Sequence, residues 1–73
     1  MGNDASIITY GSADEYGDHL EKSTRYPMYN RSGMYEKMVR AIEDMNAGTE
    51  IKCDTLIDLA NYALMELSTK LNL

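Results

Sequence analysis

The sequence predicts an all-α protein built around an amphipathic helical hairpin. Two segments, at about residues 34–47 and 50–71, carry apolar residues at helical spacing. Between them, Ala47-Gly48 is a usual helix ending. The chain has 73 residues, so it forms at most one domain, 1–73.

The first hairpin helix, at about 34–47, is predicted to have one apolar face and one charged face. Glu36 and Arg40 form a favourable pair four residues apart on the charged face. The apolar face carries Met34, Met38, Ala41, Ile42 and Met45.

The second hairpin helix, at about 50–71, has a wider apolar face than a two-helix hairpin can cover. Thr49 is expected to cap its start. Another subunit, the N-terminal segment or both must cover the remainder, and the four-helix bundle of a dimer is the economical solution. The sequence therefore predicts an oligomeric bundle, a dimer or larger. The apolar face consists of Cys53, Leu56, Ile57, Leu59, Ala60, Ala63, Leu64, Leu67 and Leu71.

The N-terminal half is less regular. Residues 1–11 have no helical period and are predicted to form an arm. A short helix is expected near 13–23, because Ser12 and Glu15 have the spacing of a capping box. Residues 24–33 have the composition of a linker, and Pro27 favours an extended backbone at the residue before it.

The charge and composition of the chain disfavour or exclude several classes of function and site. The formal net charge of −5 disfavours binding to DNA or RNA backbones. No apolar run approaches the roughly 20 residues of a membrane span, and the N-terminus lacks a secretory signal, so a cytoplasmic protein is expected. Cys53 and His19 are the only cysteine and histidine, which excludes an internal disulfide and the usual zinc spacings.

Aromatic and basic residues concentrate around the predicted linker. The chain has six Tyr but no Phe or Trp, and Tyr combines a stacking face with a hydrogen-bonding tip. Basic side chains nearby are candidates for phosphate contacts. The alternatives are tyrosines that cover a thin core and basic residues that only aid solubility. The predicted ligand-binding residues are Arg25, Tyr26, Tyr29, Arg31, Lys37 and Arg40.

A polar stripe on the last helix suggests a metal site. Asp54 and Asp58 lie one turn apart, with Asn61 on the same stripe; Glu50 joins it only if the helix starts early enough. Such carboxylates could share Mg²⁺, which would bridge to phosphate oxygens. The alternative is a solvated helix face. Asp58 is the more informative residue, because it lies beyond the first turn, where the helix dipole favours acids. No nucleophile–base pair stands out, so catalytic residues are not assigned.

One stretch, Asp54-Thr-Leu-Ile-Asp58-Leu-Ala-Asn-Tyr-Ala-Leu-Met, resembles the last core helix of MazG-like proteins. These are all-α nucleoside triphosphate pyrophosphatases and phage relatives, including the nucleotide-modification-associated domain. Lys37-Met-Val-Arg40 is similar to the K-x-x-R pattern of the preceding helix, and Glu15-Tyr-Gly-Asp18 is similar to an upstream D-Y-G element. The resemblance implies a helical fold, a nucleotide substrate and Mg²⁺ held by acids at the positions of Asp54 and Asp58. The E-x-x-E motif of catalytic members is absent.

Three functions follow as hypotheses. The first is a small phage-type oligomer in the host cytoplasm that binds a nucleotide or nucleotide-derived second messenger and sequesters it without hydrolysis. The second is a Mg²⁺-dependent nucleoside triphosphate pyrophosphatase, for which a partner subunit would supply further acids such as Glu36 or Glu43. The third is an acidic inhibitor that blocks a basic protein partner. The missing E-x-x-E motif favours binding over turnover.

Overall fold

Three α-helices and no strands make up the part of the chain that the computed structural model describes, residues 13–71. The helices are α1 (Ala13–Arg25), α2 (Pro27–Ala47) and α3 (Cys53–Leu71). α2 and α3 form the predicted hairpin, and α1 packs against both of them. The all-α prediction is confirmed. The predicted arm, 1–11, and Ser12 of the predicted capping box lie outside the described residues.

The helix predicted near 13–23 is present as α1 and extends two residues further. Asp14 and Glu15 lie in its first turn and Lys22 and Arg25 in its last, the arrangement that the helix dipole favours. Only Tyr26 separates α1 from α2. Its φ of −128° and ψ of 85° are the extended conformation expected of a residue before proline.

α2 begins at Pro27, seven residues before the predicted start at 34. Residues 27–33, predicted as a linker, are therefore the first two turns of the helix. Pro27 suits this start, because proline is favoured at the first helical position. Asn30 is a weak helix former, but its side-chain Nδ2 donates to the carbonyl of Tyr62 at 2.9 Å and to Glu66 Oε1 at 3.3 Å. These contacts with α3 fix a segment that local composition assigns to a loop.

α2 ends as predicted, and α3 begins later than predicted. Gly48 has a left-handed backbone, with φ 72° and ψ 21°, and its N–H donates to the Met45 carbonyl. Thr49 does not cap α3. Its Oγ1 donates at 3.2 Å to the Asp44 carbonyl at the end of α2. Residues 49–52 are non-helical, so α3 starts at Cys53 rather than near residue 50.

The interior between the helices is mainly polar. Among residues 13–71, only Ala41 and Met65 are buried apolar side chains, and Met65 is fully buried. Large apolar side chains of α2 and α3 remain exposed. No helix among these residues is long and apolar enough to cross a membrane. The buried polar residues are His19, Ser23, Asn30, Thr55, Asn61 and Ser68.

Candidate functional site

A cavity of about 750 Å³, lined mainly by polar residues, opens to solvent between the three helices. Each helix contributes to its lining, so the cavity depends on the packing of α1 against the hairpin. Four of the lining residues are acidic and one, Lys37, is basic. The lining residues are Asp14, Glu15, Asp18, His19, Tyr29, Lys37, Asp58, Asn61 and Tyr62.

Asp58 and Lys37 form an ion pair across the hairpin. Lys37 Nζ lies 3.2 Å from Asp58 Oδ2, and the two side chains are 15% and 35% exposed. The partial burial makes this pair less screened by water than a fully exposed pair. It orients the Asp58 carboxylate at the edge of the cavity.

Asn61 lies one turn after Asp58 and is only 2% exposed. Its side-chain Oδ1 is buried and accepts no hydrogen bond within residues 13–71. A buried acceptor without a partner is costly, on the order of 1–3 kcal/mol. Asn61 also lines the cavity, so a turn of its side chain would expose this oxygen to a hydrogen-bond donor there.

Aromatic rings form another part of the cavity lining. The imidazole of His19 meets the ring of Tyr29 edge-on at 5.4 Å between centroids, and that of Tyr62 at 6.0 Å. Burial lowers the pKa of His19 below its ordinary value of 6.5, opposed in part by a hydrogen bond with Asn30. The lowered pKa favours a neutral imidazole between the two tyrosines.

α1 contacts both α2 and α3 of the hairpin. Tyr16 Oη and Ser68 Oγ are hydrogen-bonded at 2.6 Å, and the Ser68 hydroxyl is also 2.9 Å from the Leu64 carbonyl. Lys22 lies 3.0 Å from Asp18 and 5.9 Å from the centre of the Tyr29 ring. These contacts place the acids of α1 opposite the polar face of α3.

Two of the six predicted ligand-binding residues line the cavity, Tyr29 and Lys37. The three arginines are directed into ion pairs with other partners. Arg25 pairs with Glu21 and Arg40 with Glu36, each on its own helix. Tyr26 is exposed at the junction of α1 and α2. The structure therefore does not bring the six residues together.

Arg31 contacts α3 at a different place. Its Nε and Nη2 donate to Glu66 Oε2 at 3.1 and 3.0 Å. This guanidinium, together with the Asn30 amide, lowers the pKa of Glu66, although partial burial opposes the shift. Arg31 is thus engaged in holding α2 to α3.

The two predicted metal ligands also lie at different places in the structure. Asp58 lines the cavity, whereas Asp54 is exposed and does not. Within residues 13–71 no three His, Cys, Asp or Glu side chains are close enough together to hold a metal ion. The oxygen donors that line the cavity are of the type that Mg²⁺ prefers, but a bound ion would need these side chains to move together.

Some of the cavity residues that were not predicted as ligand contacts or metal ligands can be recognised in part from the sequence. Asn61 is a poor helix former in mid-helix, and its place on the polar stripe was visible. Asp14, Glu15 and Asp18 could not be distinguished from ordinary N-terminal acids of a helix. Their position opposite Asp58 follows from how α1 packs, which no spacing along the chain encodes.

Comparisons with known proteins found no matching family model, no matching curated protein and no matching solved structure for this chain. The resemblance to MazG-like proteins, drawn from residues 54–65 and the shorter motifs upstream, therefore stays a prediction.

Proposed function

We propose that this chain binds a nucleotide, or a nucleotide-derived second messenger, together with a divalent cation in the cavity between its three helices. One observation carries the proposal: polar side chains from all three helices converge on one cavity, although apolar side chains are left exposed. Burying polar groups in preference to apolar ones is unfavourable for stability alone. Such an arrangement is typical of a binding site that is maintained for function.

The charge of the cavity argues for the cation. Its lining carries four carboxylates and one ammonium group, and that ammonium group, of Lys37, is already paired with Asp58. A bare phosphate would be repelled by this surface. A divalent cation held between the carboxylates and the phosphate oxygens would make the interaction between the cavity and the phosphate attractive.

The remaining lining suits the other parts of a nucleotide. The rings of Tyr29 and Tyr62 offer surfaces against which a base can pack. Asn61 Oδ1 is buried and without a partner within residues 13–71, so a rotation of this side chain into the cavity would let it accept a hydrogen bond from the ligand. The cavity volume of about 750 Å³ lies within the range of small-molecule sites.

Calorimetry tests this proposal. Nucleoside mono-, di- and triphosphates and cyclic dinucleotides are titrated into the protein, with Mg²⁺ and again with EDTA. We expect at least one ligand to bind with Mg²⁺ and to be lost with EDTA. Asp58→Asn should weaken that binding by roughly tenfold or more, through loss of a charged ligand group.

Two variants control this experiment. Glu43→Gln removes an exposed carboxylate that does not line the cavity and should leave binding unchanged. Arg40→Ala removes a predicted phosphate contact that the structure pairs with Glu36 instead, and it should also have little effect. Absence of nucleotide binding under both conditions, or binding that Asp58→Asn does not weaken, would contradict the proposal.

Pyrophosphate hydrolysis is a second candidate, and one observation favours it. Acids of α1 and of α3 face the cavity from different helices, so a cation there would have carboxylates on more than one side. That arrangement is what metal-assisted attack of water on a phosphate requires. Chromatography after incubation separates the two functions: intact ligand indicates sequestration, whereas monophosphate and pyrophosphate released over many turnovers indicate hydrolysis.

A further inference from the structure

One lysine of the cavity differs from the other paired basic residues of the described chain. Lys37 lines the cavity, and its side chain is only 15% exposed. The other lysine and arginine side chains that form ion pairs among residues 13–71 are at least 46% exposed. A partly buried ammonium group loses much of its hydration, which is unfavourable unless another charge compensates for it. Solubility alone therefore does not explain the position of Lys37.

Asp58 supplies the compensating charge, with its Oδ2 atom 3.2 Å from Lys37 Nζ. A divalent cation bound by Asp58 would lie about 2.0–2.6 Å from its carboxylate oxygen. The cation and the ammonium group would then be only a few ångströms apart, and like charges at that distance repel strongly where water is partly excluded. In this geometry Asp58 can serve the ammonium group or the cation, but not both.

The charges of the lining indicate where the ammonium group would move. Among the described residues that line the cavity, Lys37 is the one lysine, and no arginine is present. A divalent cation offsets two of the four carboxylates there, so a phosphate group still needs a further positive charge. The lysine side chain is a flexible four-carbon chain that ends in three hydrogen-bond donors. It can therefore leave Asp58 and donate to phosphate oxygens.

We propose that Lys37 and Asp58 exchange partners when the nucleotide and the cation bind: Asp58 takes the divalent cation, and Lys37 takes a phosphate group. The inference rests on the proposed function, because it concerns the same cavity and the same ligand. It makes the two binding events cooperative, since the cation gives Asp58 a new partner and the phosphate gives Lys37 one. By linkage, each raises the affinity for the other by the same factor. A divalent cation alone binds weakly, because Lys37 competes with it for Asp58.

Two titrations of Lys37→Met test the exchange, because the two affinities should change in opposite directions. The first probe is Mn²⁺ alone, followed by electron paramagnetic resonance of the free ion. The second is inorganic pyrophosphate with Mn²⁺ in excess, followed by calorimetry. Compared with the native chain, Lys37→Met should bind Mn²⁺ alone roughly threefold or more tightly, through loss of the competing charge. It should bind pyrophosphate roughly tenfold or more weakly, through loss of a charge-assisted hydrogen bond.

Two further variants make the comparison specific. Lys52→Met removes the same charge from an exposed side chain that does not line the cavity. Because solvent and salt screen that charge, both affinities should stay within about twofold of those of the native chain. Lys37→Gln can still donate a neutral hydrogen bond to Asp58, and it should show the same two changes as Lys37→Met. Circular dichroism measures the helicity of each variant, and Lys37→Gln decides the test if Lys37→Met loses its helicity.

The outcomes separate this inference from the proposed function. Opposite changes in the two affinities support the exchange. Equal Mn²⁺ affinity of the native chain and Lys37→Met, or pyrophosphate binding that is absent from the native chain or unchanged in the variant, would overturn the exchange. Cation-dependent binding of a nucleotide by the native chain would still stand in that case. Absence of nucleotide binding to the native chain, with Mg²⁺ and with EDTA, would instead contradict the proposed function itself.

Discussion

The two sides of α3 differ in a way that reverses the usual pattern of a small domain. The inner side, against α1 and α2, carries the buried polar residues Asn61 and Ser68, and Met65 is its one fully buried apolar residue among those described. The outer side carries leucine and isoleucine at heptad spacing and leaves them about half exposed. Hydrophobic burial is the dominant favourable term in folding, so the single chain gains little stability from the outer side of its most apolar helix.

In this chain, the residues that specify how the helices pack differ from the apolar residues that could add most to stability. Polar contacts specify how the three helices meet: Asn30 bonds to the α3 backbone, Tyr16 bonds to Ser68, and Lys37 pairs with Asp58. Each is worth only about 0.5–1.5 kcal/mol net, so they fix geometry more than they supply stability. The apolar surface that could supply more stability lies outside.

The largest effect is expected at Met65, the fully buried apolar side chain of the inner side. Met65→Ala should lower the free energy of unfolding by about 2–5 kcal/mol, because it leaves a cavity at the fully buried centre of the three helices. Urea denaturation measures the change. Met45→Ala, at a position 58% exposed on α2, is the control and should cost less than half as much. Similar losses in the free energy of unfolding for both variants would contradict the difference between the buried interior and the exposed apolar surface.

A second test concerns how closely α2 approaches α3. An added Cβ at Gly33 would clash with the Tyr62 ring and lie 2.8 Å from its hydroxyl oxygen, so the ring must move. Gly33→Ala should therefore destabilise the fold by about 1–3 kcal/mol, although alanine is the better helix former. Thermal unfolding measures the change. Gly17→Ala in α1 is the matched control, because an added Cβ there meets nothing within 4 Å, and it should be neutral or stabilising. A stabilised Gly33→Ala would show that Tyr62 does not pack there.

Acidification should weaken the inner side through His19. Its pKa in the folded chain is lowered from 6.5, so the unfolded chain binds the proton more readily. The stability that the neutral imidazole contributes is complete above pH 6.5 and is lost as the pH falls through the lowered pKa. Urea denaturation from pH 7.5 to 5 should show this loss, and His19→Gln should flatten the profile over that range. An unchanged slope in the variant would assign the pH dependence to other groups.

The smallest effect is expected at the rim of the hairpin. Arg31→Ala removes two hydrogen bonds to Glu66, but Arg31 is about half exposed, so the cost should be about 0.5–1 kcal/mol. Binding of ligand in the cavity should be unaffected, because Arg31 does not line it. Chemical denaturation and calorimetry on the same variant measure both quantities. A large loss of ligand affinity with little loss of stability would indicate that Arg31 contacts the ligand, as the sequence predicted.

Local pattern was sufficient for some of this structure and insufficient for the rest. The hairpin, the break at Gly48 and the short first helix follow from periodicity and from turn residues, which act over a few positions of chain. The start of α2 was predicted seven residues late, because Asn30 and Gly33 resemble loop residues until their contacts with Tyr62 are known. Asp58 and Lys37 were identified as candidate site residues, but their pairing across the hairpin was not.

By itself, the sequence determined that the chain is helical, acidic and unable to cover all of its apolar surface, because these properties are sums over residues or repeats along one helix. The tertiary structure alone decided which face of α3 turns inward and which acids face one another. Asp14 and Asp58 are separated by more than forty residues, and they line one cavity only because α1 packs across the hairpin. That packing depends on contacts between side chains far apart in the chain, such as Tyr16 with Ser68, which no local spacing records.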